Sequence, residues 1–158
     1  MRNSRLTFLK VVLVLISIVT LGLCIFALPS LAAYTTEMYP EYAFLKYPIL
    51  IGMYFTVIPF FFALYESYKL LSIIRDKNAF SESALLSLRH IIFCASTIIA
   101  LYTIGLLIMA LSNALHPGIA ILGLVIIFAC LIIAVFSAVL RELLRSAIIL
   151  KIENELTV

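Results

Sequence analysis

Four uncharged apolar stretches, Val11–Ala33, Pro48–Tyr65, Ile91–Leu115 and Gly118–Leu140, take up more than half of the 158 residues. A helix rises about 1.5 Å per residue, so each stretch can cross a hydrocarbon core of roughly 30 Å. Soluble domains are about half apolar. Here 65% of the residues are hydrophobic, which removes the water-soluble globule from consideration. The stretches predict spans at about 11–33, 48–67, 91–113 and 118–140. The expected fold class is an all-α integral membrane four-helix bundle, a single domain over residues 1–158.

Basic residues set the threading. Lys and Arg occur at Arg2, Arg5 and Lys10 before the first span, and at Lys46 in the first connection. They recur at Lys69, Arg75, Lys77 and Arg89 in the second connection and at Arg141, Arg145 and Lys151 after the fourth span. The third connection has none. This bias predicts a multi-pass chain with N- and C-termini and the middle loop in the cytoplasm. The net charge of +3 is explained by that topology and by attraction to anionic headgroups. It gives no reason to expect direct nucleic-acid binding.

The N-terminus carries a basic leader, and Ser30-Leu31-Ala32 has the look of a signal cleavage site. The apolar run before it exceeds the 7–15 residues of a signal core, so a retained first helix is expected. Bulky Leu23 directly before Cys24 argues against a lipoprotein site. The first helix should end near Leu28-Pro29, because proline breaks the ladder. Tyr34, Tyr39, Tyr42 and Tyr47 in the outer connection suit a segment at headgroup level.

In the second span Pro59 deprives the Phe55 carbonyl of its donor, and Thr56 is placed to re-satisfy the freed backbone. Pro59 is therefore a candidate kink or hinge. Glu66 is a candidate functional acid at the membrane edge, with Lys69 three residues on as its helical partner. The helix should run on through Ile74 and stop near Asp76-Lys77-Asn78. Ser81 reads as an N-cap, with Glu82 in the first turn and Phe80 and Leu85 spaced as a hydrophobic staple. Helix three then begins near Glu82, and His90 reads as a wet interfacial residue.

The tight turn Ser112–Gly118 forces helices three and four into an antiparallel hairpin. Cys130, Ala134 and Ala138, like Ser96 and Ala100, predict small-residue faces for close helix approach, within the chain or in a homo-oligomer. Helix four should continue into the cytoplasm. Its apolar stripe is Leu140, Leu143, Leu144, Ala147, Ile148 and Lys151, with Arg141, Glu142 and Arg145 on the soluble side. Leu144 and Ile148 are candidate docking residues. The tail from Ile152 to Val158 is expected to fray.

No chemistry of a known class can be assembled from the residues. Cys24, Cys94 and Cys130 share no short spacing, so neither a disulfide framework nor a zinc set is expected. His90 and His116 fall on opposite sides of the membrane in this threading, which excludes a paired-histidine metalloprotease motif. No glycine-rich phosphate loop occurs. The expectation is a non-enzymatic protein without metal or cofactor.

Three segments carry a family resemblance. The runs Pro40-Glu41-Tyr42-Ala43-Phe44-Leu45-Lys46-Tyr47-Pro48 and Pro59-Phe60-Phe61-Phe62-Ala63-Leu64-Tyr65, with the ending Glu153-Asn154-Glu155-Leu156-Thr157-Val158, resemble the YoaS-like family of small bacterial four-helix membrane proteins. The resemblance implies a bacterial plasma-membrane protein with no established activity. It also implies gene neighbourhood with a small Cro/C1-type helix-turn-helix regulator, and so an interaction protein that anchors or controls such a partner. The alternatives are a small transporter, channel or holin-like permeability protein, or an envelope-stress or immunity protein that uses the tyrosine-rich outer loop.

Overall fold

In the computed structural model, which describes residues 2–157, the first apolar stretch does not stop at Pro29. Helix α1, Arg2–Gly22, passes through one π-helical turn, Leu23–Ala27, into α2, Leu28–Met38. The expected end near Leu28-Pro29 is thus corrected, for a local reason. The Leu28 N–H donates to the Leu23 carbonyl, five residues back. The extra residue widens the helix where the proline ring would otherwise press on the preceding turn. The cost falls on the Cys24 carbonyl. Its α-helical donor, Leu28, is spent on Leu23, and the next donor along is Pro29, which has no N–H. The Tyr54 hydroxyl donates to this carbonyl instead, at 2.8 Å.

A 3-10 turn, Pro40–Leu45, leads into α3, Lys46–Arg75. Pro48 sits in its first turn and Pro59 within it. Buried Thr56 does not serve the carbonyl freed by Pro59, as the sequence suggested. Its hydroxyl donates to Met53 at 2.6 Å. Helix α3 ends where expected. Lys77 is left-handed (φ 62), the Asn78 N–H reaches the Ile73 carbonyl and the Lys77 N–H reaches Ile74. That is a Schellman cap with lysine where glycine is preferred. Lys77→Gly is therefore expected to stabilise the protein by about 1 kcal/mol, read as a raised thermal midpoint in detergent.

Helix α4, Glu82–Leu111, starts at Ser81, whose side chain accepts from the Ala84 N–H. It ends on a second Schellman cap with Asn113 at φ 55. The Tyr42 hydroxyl, from the first connection, donates to the Asn113 carbonyl at 2.9 Å. Helix α5, Pro117–Thr157, begins with proline at its first position, and the His116 Nδ1 accepts from the Gly118 N–H. It is 41 residues long, or about 60 Å, twice a hydrocarbon core. The tail does not fray before Thr157. Val158, the last residue of the family-like ending, and Met1 of the basic leader lie outside the described residues.

Consecutive helices pack antiparallel: α1 on α3, α3 on α4, and α4 on α5. Helix α4 is the centre. Its buried residues Ala84, Ser87, Leu88, Ile91, Cys94, Ala95 and Ile98 form one stripe at three- and four-residue spacing. On α5, Gly123 and Ser137 are the buried positions. A Cβ at Gly123 would stand 2.8 Å from the Leu106 Cδ1, so the glycine lets the two helices close. No extended seam joins the first helix to the last among the described residues. The four helices form an open row in which α4 packs between α3 and α5. The small-residue faces are packed within the chain only in part: Cys130 and Ala134 are half-buried on α5. Ala138, Ser96 and Ala100 are exposed, while Cys94 and Ala95 occupy the packed side.

Four helical rods, Arg2–Met38, Pro40–Arg75, Glu82–Leu111 and Pro117–Thr157, are long and apolar enough to cross a membrane. Their outer surfaces are sheathed in large apolar side chains such as Ile18, Phe26, Phe93, Leu122 and Phe128. Such a continuous apolar surface is suited to lipid and not to water.

Candidate functional site

Glu66 is buried, but its partner is not Lys69. The Glu66 Oε1 stands 3.1 Å from the His90 Nδ1, across the α3–α4 seam. Lys69 makes no ion pair among the described residues. The geometry explains the preference. Residues three apart on α3 share only part of a face, whereas antiparallel packing sets Glu66 and His90 at the same level. His90 is accordingly not the wet interfacial residue its position suggested. Its ring lies 5.6 Å from that of Phe62, and about a third of its side chain remains exposed.

A carboxylate this buried needs a donor or a counter-charge. His90 provides the nearest one, although the approach lacks the alignment of a hydrogen bond. Four buried atoms here have no hydrogen-bond partner: Glu66 Oε2, His90 Nδ1, Ser87 Oγ and Arg141 Nε. Ser87 differs from most hydroxyls of the four helices. Ser17, Ser67, Ser96, Thr97 and Thr103 each donate to the carbonyl four residues back, as hydroxyls in membrane helices commonly do. Ser87, wholly buried, makes no such bond.

Arg141 belongs to the same level. Counting equal steps from the Gly123–Leu106 contact along the two antiparallel helices brings Arg141 opposite Leu88. Ser87, His90 and Arg141 thus fall within about one helical turn of Glu66 along the row. Arg141 had been assigned to the soluble face of α5. It is half-buried instead, on the α4 side, where the stripe of Cys130, Ala134, Ser137 and Leu144 continues. The Glu66–His90 junction leaves an acceptor without a partner, as do a hydroxyl and an N–H donor at the same level, and bridging water or a small polar molecule can satisfy such groups.

The remaining candidates do not join this junction. Pro59 lies about two turns along α3 from Glu66. Leu144 and Ile148 are half-buried on the side of α5 turned toward the start of α4, so they are packing residues and not a free docking face. Phe80 is not shown stapled to Leu85. It lines a shallow groove with Ala147, Leu150, Lys151 and Glu155 of α5, because α5 runs past the start of α4 and offers it an apolar wall. Residues 149–157 are exposed throughout, among them Ile149, Leu150, Ile152 and Leu156.

The sequence missed Ser87, Arg141 and Tyr54. One signal for Ser87 was available: it falls on the apolar stripe of α4, where a hydroxyl is out of place.

The family described as Protein of unknown function (DUF2975) matches residues 30–158. The chain is 48% identical over 160 residues to the uncharacterized membrane protein YoaS of Bacillus subtilis (strain 168), with all of both chains covered. This bears out the resemblance drawn from the three sequence segments. No solved structure matches the fold.

Proposed function

Since the chain belongs to the DUF2975 family of membrane proteins, we propose a plasma-membrane interaction protein, non-enzymatic, with both termini in the cytoplasm. On this reading its α5 extension holds a soluble partner at the membrane. The observation that carries it is the unaccompanied end of α5. By the register of the α4–α5 seam, α4 begins opposite Ala147, so residues 149–157 have no helix beside them. Ile149, Leu150, Ile152 and Leu156 are nonetheless between 49% and 81% exposed there. An amphipathic helix with an uncovered apolar side is the form in which a groove or partner helix is commonly engaged. The groove beside Phe80 and Leu150 extends the same surface.

The partner put forward is a small Cro/C1-type DNA-binding regulator, the class suggested by the family resemblance. The test is co-purification of the detergent-solubilised chain with that regulator, native and as Leu150→Glu/Ile152→Glu. The reading expects capture by the native chain and at least a tenfold loss in the variant. No complex with the native chain, together with unchanged expression of the regulator's targets on deletion, would reject it.

A second reading, a small permeability protein, is favoured by one observation, the unmatched buried polar atoms of Glu66, His90, Ser87 and Arg141. Polar groups at membrane depth commonly mark ion or substrate paths. Flux through reconstituted vesicles that is lost in Glu66→Gln would support it over the first.

A further inference from the structure

Helix α1, with the π-helical turn that follows it, is pinned to α3 at two levels. At one end the Lys10 Nζ lies 4.8 Å from the centre of the Tyr68 ring. At the other the Tyr54 hydroxyl holds the Cys24 carbonyl. The pins are fourteen residues apart on each helix, about 21 Å of rise. Next to the Lys10 pin lies a groove of about 280 Å³, with Leu13, Val14 and Ser17 on one wall and Phe61, Leu64 and Tyr65 on the other.

The walls are apolar in effect. The Ser17 hydroxyl is spent on the Leu13 carbonyl of its own helix, which leaves the phenol hydroxyls of Tyr65 and Tyr68 as the polar groups of the lining. In a bilayer the groove must be filled by hydrocarbon. Its volume, roughly nine times the ~30 Å³ that a water molecule takes up in the liquid, has room for part of one acyl chain. The charge at its mouth is one-sided. Lys10 stands over Tyr68, which also lines the groove, and Lys69 follows Tyr68 in sequence. The nearby acid, Glu66, is buried against His90 on the next seam and does not offset them.

We infer that the α1–α3 groove is a binding site for an anionic phospholipid, with one acyl chain between Leu13–Ser17 and Phe61–Tyr65 and the phosphate on Lys10. The site does not depend on which side of the membrane this end faces, nor on the docking role proposed above.

The test is native mass spectrometry of the whole chain in detergent with phosphatidylglycerol or phosphatidylcholine added. The native protein should retain phosphatidylglycerol preferentially. Lys10→Gln should lower that preference about fivefold, the effect of one basic residue at an anionic surface. Arg145→Gln, a charge change on exposed α5 away from the groove, should leave it unaltered. Ser17→Phe, which fills the groove, should reduce retention of both lipids. Equal retention of the two lipids by the native chain would overturn the inference. So would equal effects of Lys10→Gln and Arg145→Gln, which would mean diffuse attraction, or a dimer mass without lipid, which would mean that a second copy fills the groove.

Discussion

His90→Leu is expected to lower stability in detergent by about 3 kcal/mol, clearly more than Glu66→Leu. The asymmetry follows from burial. The Glu66 side chain is 4% exposed, while that of His90 is 36% exposed. Removing the imidazole strands a carboxylate in the interior, where breaking a buried pair costs about 3–5 kcal/mol. The partial exposure of His90 argues for the low end of that range. Removing the carboxylate instead leaves one buried ring nitrogen on a side chain that is partly exposed, at a cost of about 1 kcal/mol. The double variant Glu66→Leu/His90→Leu should recover most of the loss, since an apolar pair of similar volume replaces a buried polar one without harm. A double-mutant cycle from chemical unfolding measures this coupling. Equal losses from the two single changes, with simple additivity, would mean that the two side chains do not depend on each other.

The second large effect is expected at the π-helical turn. Tyr54→Phe removes one hydroxyl and leaves the Cys24 carbonyl without a donor in an apolar setting. The expected cost is about 2 kcal/mol. The change should be suppressed by Pro29→Ala. An alanine restores the missing N–H at position 29 and lets the helix return to α-helical register, so the carbonyl regains a backbone donor. Pro29→Ala alone should be neutral or stabilising, and in its background Tyr54→Phe should cost less than half as much. Thermal midpoints of the four proteins decide the matter. Undiminished loss in the Pro29→Ala background would detach the tyrosine from the proline.

These two sites mark where the sequence stops being informative. The four apolar stretches, the Ser81 cap, the stop at Asp76–Asn78 and the long fourth helix were all legible, because each rests on local composition or on one side chain acting on its own backbone. The fate of Pro29 was not. A proline ends a helix in water, but inside an apolar segment the chain has a stronger need to keep its backbone bonded. It does so with a widened turn and a hydroxyl from a helix thirty residues away. Glu66 was recognised as unusual, yet its partner was sought on its own helix. The choice of His90 over Lys69 depends on the register between α3 and α4, which no local pattern encodes. Arg141 was placed with the soluble charges because arginine normally is. Its inward position follows from the face of α5 that packs on α4, the stripe of Cys130, Ala134, Ser137 and Leu144. Leu144 and Ile148 had the right spacing for an apolar face, but spacing alone does not say whether a face is already covered.

The account as a whole rests on four crossings, with the Glu66–His90 junction and the α5 extension on the cytoplasmic side. Single cysteines in a background lacking Cys24, Cys94 and Cys130, probed on intact cells with a membrane-impermeant maleimide, test it most directly. Ser4→Cys, Asn78→Cys and Asn154→Cys should stay unlabelled until the membrane is opened, whereas Glu37→Cys and Ser112→Cys should react from outside. Labelling of Asn154→Cys on intact cells, or opposite accessibility at positions 4 and 154, would contradict it.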